Sequence, residues 1–420
     1  MGTIADEAKR AIEVMRKGGV ILYPTDTVWG IGCDASNEEA VKRVYEITRR
    51  VDNKAMLLLV AMVCVAFVVN AEEKKPLKYV NATEFRMINK GFDNTETPYH
   101  RLPAYLKDSI MKDKSRAGLW DRARNCAGMA FRFSSNSERI GIRYNLLWNF
   151  HMAHMADTGI KGTDLYILND DGKWEYVNTN RPYKKDSIQT KIYADGLPKE
   201  MREYMIYLPL YDGVNWMEIG VDSSAVIQQP ILNNPRKEKK VVFYGTSILQ
   251  GGCATRTGMV ATNMIQRDLN VECVNLGFSG EGKMDNYMAL AMAEIPGVTA
   301  YVLDPIPNCT KDMCKNLTYG FVNTLRKLRP GVPIIMVEGP MYSYTKYDKF
   351  TKNYLAQKND EWRKNYEKLK AEDPNNLYYV TCEGLSGYDN EGTVDGIHFT
   401  DLGFRAYADK LIEILKFVVD

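Results

Sequence analysis

Lys240-Val241-Val242-Phe243-Tyr244-Gly245-Thr246-Ser247 marks a change of rhythm in this 420-residue chain. An unbroken apolar run enters a glycine, and similar runs recur at Val271–Leu276, Ala300–Leu303, Ile334–Val337 and Leu377–Val380. Stretches of helical periodicity separate them, around 257–269, 284–294, 312–328 and 350–372, with a last one at 402–417. An uninterrupted apolar run of strand length suits a strand covered on both faces, and strands alternating with helices imply a parallel sheet. Residues 239–420 are therefore expected to form a doubly wound, three-layer α/β domain. In such sheets the functional groups gather beyond the carboxyl ends of the strands.

Upstream, residues 76–236 follow a different period. Gly128–Phe133, Arg139–Tyr144, Leu165–Leu168, Tyr204–Leu208 and Trp216–Val221 are short segments separated by turn residues such as Asn169-Asp170-Asp171-Gly172 and Asp212-Gly213. Short segments with two-residue alternation and regular turns predict an all-β sandwich. Asn233-Asn234-Pro235-Arg236-Lys237 reads as the linker between the two.

Composition narrows the class of partner. Apolar residues make up 45% and charged residues 26%, which excludes a disordered, collagen-like or polytopic membrane protein. Lys and Arg total 55 against 53 Asp and Glu. That balance lacks the basic excess of a nucleic-acid binder, so no nucleic acid is expected as partner. It suits a neutral small molecule or polysaccharide.

The ends of the predicted strands carry the chemistry. Gly245-Thr246-Ser247 follows the first strand, Asn275-Leu276-Gly277-Phe278-Ser279-Gly280 the second, and Asp304-Pro305-Ile306-Pro307-Asn308 the third. Asp395-Gly396-Ile397-His398 precedes the last helix. His398 is the sole histidine after His154, hence the sole imidazole in the C-terminal domain. A serine hydroxyl needs an adjacent base to accept its proton. A carboxylate three residues before that base can fix its tautomer and stabilise the imidazolium.

This set resembles the SGNH (GDSL-like) hydrolase superfamily. Upstream, Gly162-Thr163-Asp164-Leu165-Tyr166 matches the G-x-D-L-Y signature of the β-domain that precedes certain bacterial members. The resemblance covers about 340 residues. It implies a serine esterase in which Ser247 is the nucleophile, His398 the base and Asp395 its orienting acid. It further implies an oxyanion hole made by the Ser247 N–H, the Gly280 N–H and the Asn308 side-chain amide, with Gly277 as the alternative glycine. Two positions depart from the family pattern: Thr246 stands where G-D-S has aspartate, and Ile306-Pro307-Asn308-Cys309 stands for G-x-N-D. The implied substrate is an acylated carbohydrate or another small ester, with no metal or organic cofactor. Rival readings are a carbohydrate-binding protein without activity and a lipase or phospholipase.

Residues 1–54 resemble the start of the YrdC/Sua5/YciO family. Pro24-Thr25-Asp26-Thr27-Val28-Trp29-Gly30-Ile31-Gly32 carries the likeness, and Arg49, Arg50 and Lys54 sit where that family has basic substrate-binding residues. A fragment this short cannot close a core of its own. It reads as a remnant or a fusion, against the alternative of a nucleotide- or RNA-binding function. Residues 55–71 then read as a signal-like segment whose uncharged apolar run, 55–69, is shorter than the roughly 20 residues of a spanning helix. Small residues follow, and Glu72-Glu73-Lys74-Lys75 turns polar. This is the anatomy of a signal peptide, and it predicts a periplasmic or secreted protein with no stable membrane span. The alternative is a buried strand or helix of the first piece.

Other residues have simpler readings. The eight cysteines show no metal-ligand spacing and are expected to be buried thiols. His151 and His154 lack a third ligand at a recognisable spacing and read as structural or as placed at a domain contact. Met284, Met288 and Met292 read as core, and Lys352–Lys370 as a solvated helix face. Tyr342, Tyr344 and Tyr347 are candidates for a sugar-binding cleft.

Overall fold

The computed structural model describes residues 4–24, 29–48, 75–182 and 187–419. The centre of the P-T-D-T-V-W-G-I-G run, the basic residues at 49, 50 and 54, and the apolar run 55–71 with Cys64 lie outside them. The chain divides into two compact units, residues 1–75 and 76–420.

The first unit contains α1 (Ile4–Arg16), the antiparallel pair β1 (Val20–Pro24) and β2 (Trp29–Cys33), and α2 (Glu38–Thr48). Gly18, at φ 75°, turns the chain out of α1. Among its described residues only Ala40 and Val44 are buried, while Leu22 and Trp29 are 63% and 67% exposed. Two strands and two helices do not enclose a core, as the length of the fragment predicts.

The second unit opens with strands β3 (Lys78–Asn81), β4 (Arg86–Ile88), β5 (Ala130–Ser135), β6 (Arg139–Leu146), β7 (Asp164–Leu168), β8 (Trp174–Thr179), β9 (Ile188–Asp195), β10 (Arg202–Tyr207), β11 (Val214–Val221) and β12 (Ile227–Gln228). They form two antiparallel sheets, in the orders β12-β5-β10-β7-β8, with β4 on β5, and β3-β11-β6-β9. Phe131, Phe133, Ile142, Tyr204, Ile206 and Ile219 belong to the core of this region. The strand pattern did not show two helices inside the same stretch, α3 (Leu106–Lys112) and α4 (Ala117–Ala123). They pack Leu106, Ile110, Leu119 and Trp120 against the C-terminal sheet, so their apolar faces belong to a different core from that of the strands around them.

Five parallel strands follow: β13 (Arg236–Gly245), β14 (Val271–Gly277), β15 (Val298–Asp304), β16 (Ile334–Val337) and β17 (Leu377–Val380), in the order β14-β13-β15-β16-β17. Side chains alternate across the sheet. Val242 and Tyr244 enter the core shared with α8 (Asn286–Glu294), α9 (Lys311–Leu328) and α10 (Lys349–Glu372), which includes Met284, Met288 and Met292. Val241 and Phe243 enter the core shared with α7 (Ala261–Leu269) and α11 (Asp401–Val418). Burial on both faces is why these strands read as unbroken apolar runs. The stretch Lys352–Lys370 is not solvated throughout, because Lys358 and Trp362 are buried on the inner face of α10.

The G-x-D-L-Y motif joins the β-region to the segment behind the first parallel strand. Asp164, fully buried, accepts from Arg256 Nη1 and from the Gly258 N–H, both at 2.8 Å. The same Arg256 nitrogen reaches Tyr166 Oη at 2.7 Å. A buried carboxylate is stable only when paired and hydrogen-bonded in this way.

Candidate active site

Ser247 begins a four-residue helix, α6 (Ser247–Gln250), at the carboxyl end of β13. Gly245 is required there by space, since a Cβ would lie 2.7 Å from the Asp304 carbonyl oxygen. The Ser247 N–H lies in the first turn, where no partner exists within the helix. Its Oγ lies 2.9 Å from His398 Nε2. On the far side of the ring, His398 Nδ1 lies 2.7 Å from Asp395 Oδ2.

Asp395 is held by its own loop. Its Oδ1 accepts from the N–H groups of Ile397 and His398 at 3.0 and 2.8 Å. Gly396, at φ 87°, gives the turn its left-handed step, and the Val394 N–H closes it on the His398 carbonyl at 2.8 Å. Burial alone raises the Asp395 carboxyl, but the bonds from His398 and Ile397 outweigh it and bring it down to about 2. The group is therefore a carboxylate wherever an imidazole is neutral, as a tautomer-fixing partner must be. The sequence places Ser247 and His398 151 positions apart, and the fold brings them within one hydrogen bond.

The two loops flanking β13 frame this pair. After β14, Gly280 takes φ 76°, and no atom lies within 4 Å of where a Cβ would be. Its N–H has no backbone partner among the described residues. The Gly277 N–H, by contrast, is engaged at 2.9 Å by Asn275 Oδ1, which removes the alternative glycine as a free donor. After β15, Asn308 Oδ1 accepts from the Gly282 N–H at 3.3 Å, leaving the amide nitrogen to donate.

The residues that hold these loops in register carry no signal in the sequence. Gln250, fully buried, donates from Nε2 to Asn125 Oδ1 and the Leu210 carbonyl at 2.9 and 3.0 Å. Its Oε1 accepts from the Ser279 N–H at 2.8 Å, tying the serine helix to the glycine loop. Tyr211 Oη donates to the Ser247 carbonyl at 3.1 Å. Arg101 donates to the carbonyls of Asn275 and Gly277 at 2.9 and 2.8 Å. Asn125, Tyr211 and Arg101 all come from the β-region, and no local motif marks them.

Tyr342 and Tyr344 lie beside the Asp395 loop. The Ser343 N–H donates to the Gly396 carbonyl at 2.9 Å, and Tyr347 is 82% exposed. His151 and His154 do not act as a pair. His151 Nδ1 faces Asp157 Oδ1 at 2.8 Å, whereas the His154 ring lies 5.7 Å from that of His398. The described cysteines are all unbridged, five of them buried.

Asp304, at the end of β15, is fully buried and, among the described residues, has one side-chain bond, accepted from Tyr407 Oη at 2.9 Å. Burial pushes its carboxyl up to about 8, against a smaller lowering by that hydroxyl. The folded state thus keeps a proton that the unfolded chain releases near pH 4. The stability this contributes is complete below that pH and is lost as pH rises toward 8. Asp304→Asn is expected to remove the dependence: its melting temperature should exceed the parent's at pH 9, with the gap closing toward pH 4. Melting curves with parallel pH dependence in both proteins would show that Asp304 is not the titrating group.

Comparison with known proteins agrees with this architecture. Residues 238–416 match the sequence model of the GDSL-like lipase/acylhydrolase family, and residues 77–227 that of the N-terminus of SGNH-hydrolase-type esterases. The chain is 32% identical to a Bacteroides ovatus protein assigned as a GDSL-like lipase; the two structures align with a TM-score of 0.75 over 81% of this chain and 98% of that one. A salicylyl-acyltransferase from a tetracycline biosynthetic pathway (16% identical, TM-score 0.64, 81% and 97% covered) shares the fold. So does an acetyl xylan esterase from the rumen bacterium Butyrivibrio proteoclasticus (11% identical, TM-score 0.51, 81% and 98% covered). Residues 13–83 match the Sua5/YciO/YrdC model, described as telomere recombination. Over 51 residues the chain is 45% identical to the threonylcarbamoyl-AMP synthase of Hahella chejuensis, covering 12% of this chain and 28% of that one. It thus spans little more than a quarter of the curated relatives it matches there. The match to the Bacteroides protein runs through both the β-region and the parallel sheet, and on it the chain belongs to the GDSL-like lipase/acylhydrolase family, the SGNH-type ester hydrolases.

Proposed function

We propose that the chain is a serine esterase that deacylates carbohydrate esters through a covalent acyl-enzyme. The observation that carries the reading is the continuous relay from Ser247 Oγ to His398 Nε2, and from His398 Nδ1 to Asp395, at 2.9 and 2.7 Å. These are hydrogen-bond distances for a nucleophile, its base and the base's orienting group. Ser247 Oγ attacks the ester carbonyl as His398 Nε2 takes its proton. The developing oxyanion meets the Ser247 and Gly280 N–H groups and the Asn308 amide. Each such donor contributes on the order of 3 kcal/mol in the transition state. His398 then returns the proton to the departing alcohol, and a water repeats the sequence on the acyl-serine. Every step is supplied by side chains and backbone of this domain.

The substrate class rests on the surroundings. The tyrosines at 342, 344 and 347 offer flat faces beside the Asp395 loop, the form of surface on which sugar rings pack, and the near-neutral charge suits an uncharged ligand. The acetyl xylan esterase that shares the fold acts on such an ester. The signal-like anatomy of residues 55–71 supports action outside the cytoplasm, as a periplasmic or secreted enzyme. A panel of acetylated xylan fragments, acetylated monosaccharides and p-nitrophenyl esters of rising chain length tests the reading. The highest kcat/KM is expected on acetylated sugars, with a steep fall beyond short acyl chains. A preference for long acyl esters would turn the assignment to a lipase.

A further inference from the structure

The turn that follows the serine helix is Gly251-Gly252-Cys253-Ala254. The N–H groups of Gly251 and Gly252 both donate to the Ser247 carbonyl, at 3.1 and 2.8 Å. A Cβ at Gly252 would lie 2.9 Å from His398 Cδ2, so glycine brings this backbone directly against the imidazole. Cys253 takes φ 74°, a conformation in which a residue with a Cβ is uncommon and strained, and such strain collects at functional positions. Cys253 is 4% exposed, and its thiol donates to the His154 carbonyl at 3.2 Å. His154 itself reaches the same spot from the segment between β6 and α5 (Asp157–Ile160), with its ring 5.7 Å from that of His398. Ligand atoms of His154, Cys253 and His398 all lie within 4.8 Å of one another. Neither His154 nor Cys253 has a part in the hydrolysis described above.

One thiolate and two imidazoles make a donor set that suits Zn²⁺ in tetrahedral coordination, with a fourth position open. Bond lengths of about 2.3 Å to sulfur and 2.0–2.1 Å to nitrogen put such ligand atoms roughly 3.3–3.6 Å apart. The present spacing, within 4.8 Å, leaves the three groups to draw together by about an ångström on binding, and His154 is the exposed one of the three. We infer that His154, Cys253 and His398 form an inhibitory Zn²⁺ site, in which the metal withdraws His398 Nε2 from Ser247 and stops acyl transfer. Nε2 is the atom available to the metal, because Nδ1 faces Asp395. That carboxylate then serves as the outer partner that metal-bound imidazoles ordinarily have. On binding, three metal–ligand bonds form, the Cys253 thiol proton leaves to solvent, and Ser247 Oγ loses its acceptor. The fourth position is left to water or to the serine hydroxyl. The inhibition rests on the esterase reading; the metal site does not.

The test uses the full chain, stripped of metal with a chelator, then titrated with Co²⁺ and with Zn²⁺. Parent, Cys253→Ser, His154→Gln and Ser247→Ala are compared, with hydrolysis of p-nitrophenyl acetate followed in parallel. The parent and Ser247→Ala should bind one equivalent of Co²⁺ with a thiolate charge-transfer band, which Cys253→Ser should lack. Zn²⁺ should silence the parent stoichiometrically, with recovery on adding chelator. Without metal, Cys253→Ser and His154→Gln should hydrolyse at the parental rate, and both should need at least tenfold more Zn²⁺ for the same inhibition. Absence of the thiolate band in the parent, or inhibition unchanged in both variants, would overturn the proposal. The band in a parent that hydrolyses neither p-nitrophenyl acetate nor acetylated sugars, with or without metal, would uphold the site and overturn the acyl-enzyme reading instead.

Discussion

Ser247→Ala is expected to lose on the order of 10⁶-fold in kcat on p-nitrophenyl acetate, the scale on which removal of an acyl-transfer nucleophile is felt. The fold should not follow it down. Among the described residues Ser247 Oγ has one partner, His398 Nε2, so its removal forfeits a single hydrogen bond, about 1 kcal/mol. Gly245, Gly251 and Gly252 shape the surrounding turn, and the Tyr211 bond is to the serine's backbone carbonyl. Kinetics beside a thermal melt of the same sample check both halves. A variant that keeps activity within tenfold of the parent would remove Ser247 from the chemistry. A variant that melts far lower would mean that its inactivity says nothing about mechanism.

Asp395→Asn should cost about 10⁴-fold in kcat with KM little changed. The two carboxylate oxygens do different work. Oδ1 accepts the N–H groups of Ile397 and His398, and an asparagine oxygen can keep both bonds, so the loop should hold its shape. The amide nitrogen then occupies the place of Oδ2, 2.7 Å from His398 Nδ1. A donor there favours the tautomer that carries its proton on Nε2, and that nitrogen can no longer accept from Ser247. Steady-state kinetics decide the matter, since loss of tautomer control falls on kcat and loss of the loop falls on KM and stability as well. Retention of most of the parental kcat would mean that Asp395 merely braces its turn.

The sheet was legible because burial on both faces writes itself into the sequence as unbroken apolar runs. Ile334–Val337 and Leu377–Val380 were bounded as the structure has them. The first parallel strand begins earlier than its apolar run, at Arg236, because its exposed start still pairs with Val271. That Ser247, His398 and Asp395 meet was legible for a different reason: histidine is so scarce that His398 is the one imidazole of this domain. Asn308 and Gly280 came from resemblance, and only the bond from the Gly277 N–H to Asn275 separates the two candidate glycines. What stayed hidden was the bracing. Gln250 meets Asn125 across 125 positions and Arg101 reaches Gly277 across 176, with no periodicity to announce either. Helices α3 and α4 were hidden too, because their apolar residues face a sheet that begins more than a hundred positions later. His154 is the sharpest case: its neighbour in sequence, His151, is not its partner, and its neighbour in space is His398.

A fluorophosphonate adduct mapped by peptide mass spectrometry asks most directly whether these loops build one reacting centre. Stoichiometric phosphonylation of the peptide carrying Ser247 is expected, slowed by several orders of magnitude in Asp395→Asn and absent in Ser247→Ala. A parent protein that stays unlabelled, or carries the adduct on another residue, would contradict a single centre at Ser247.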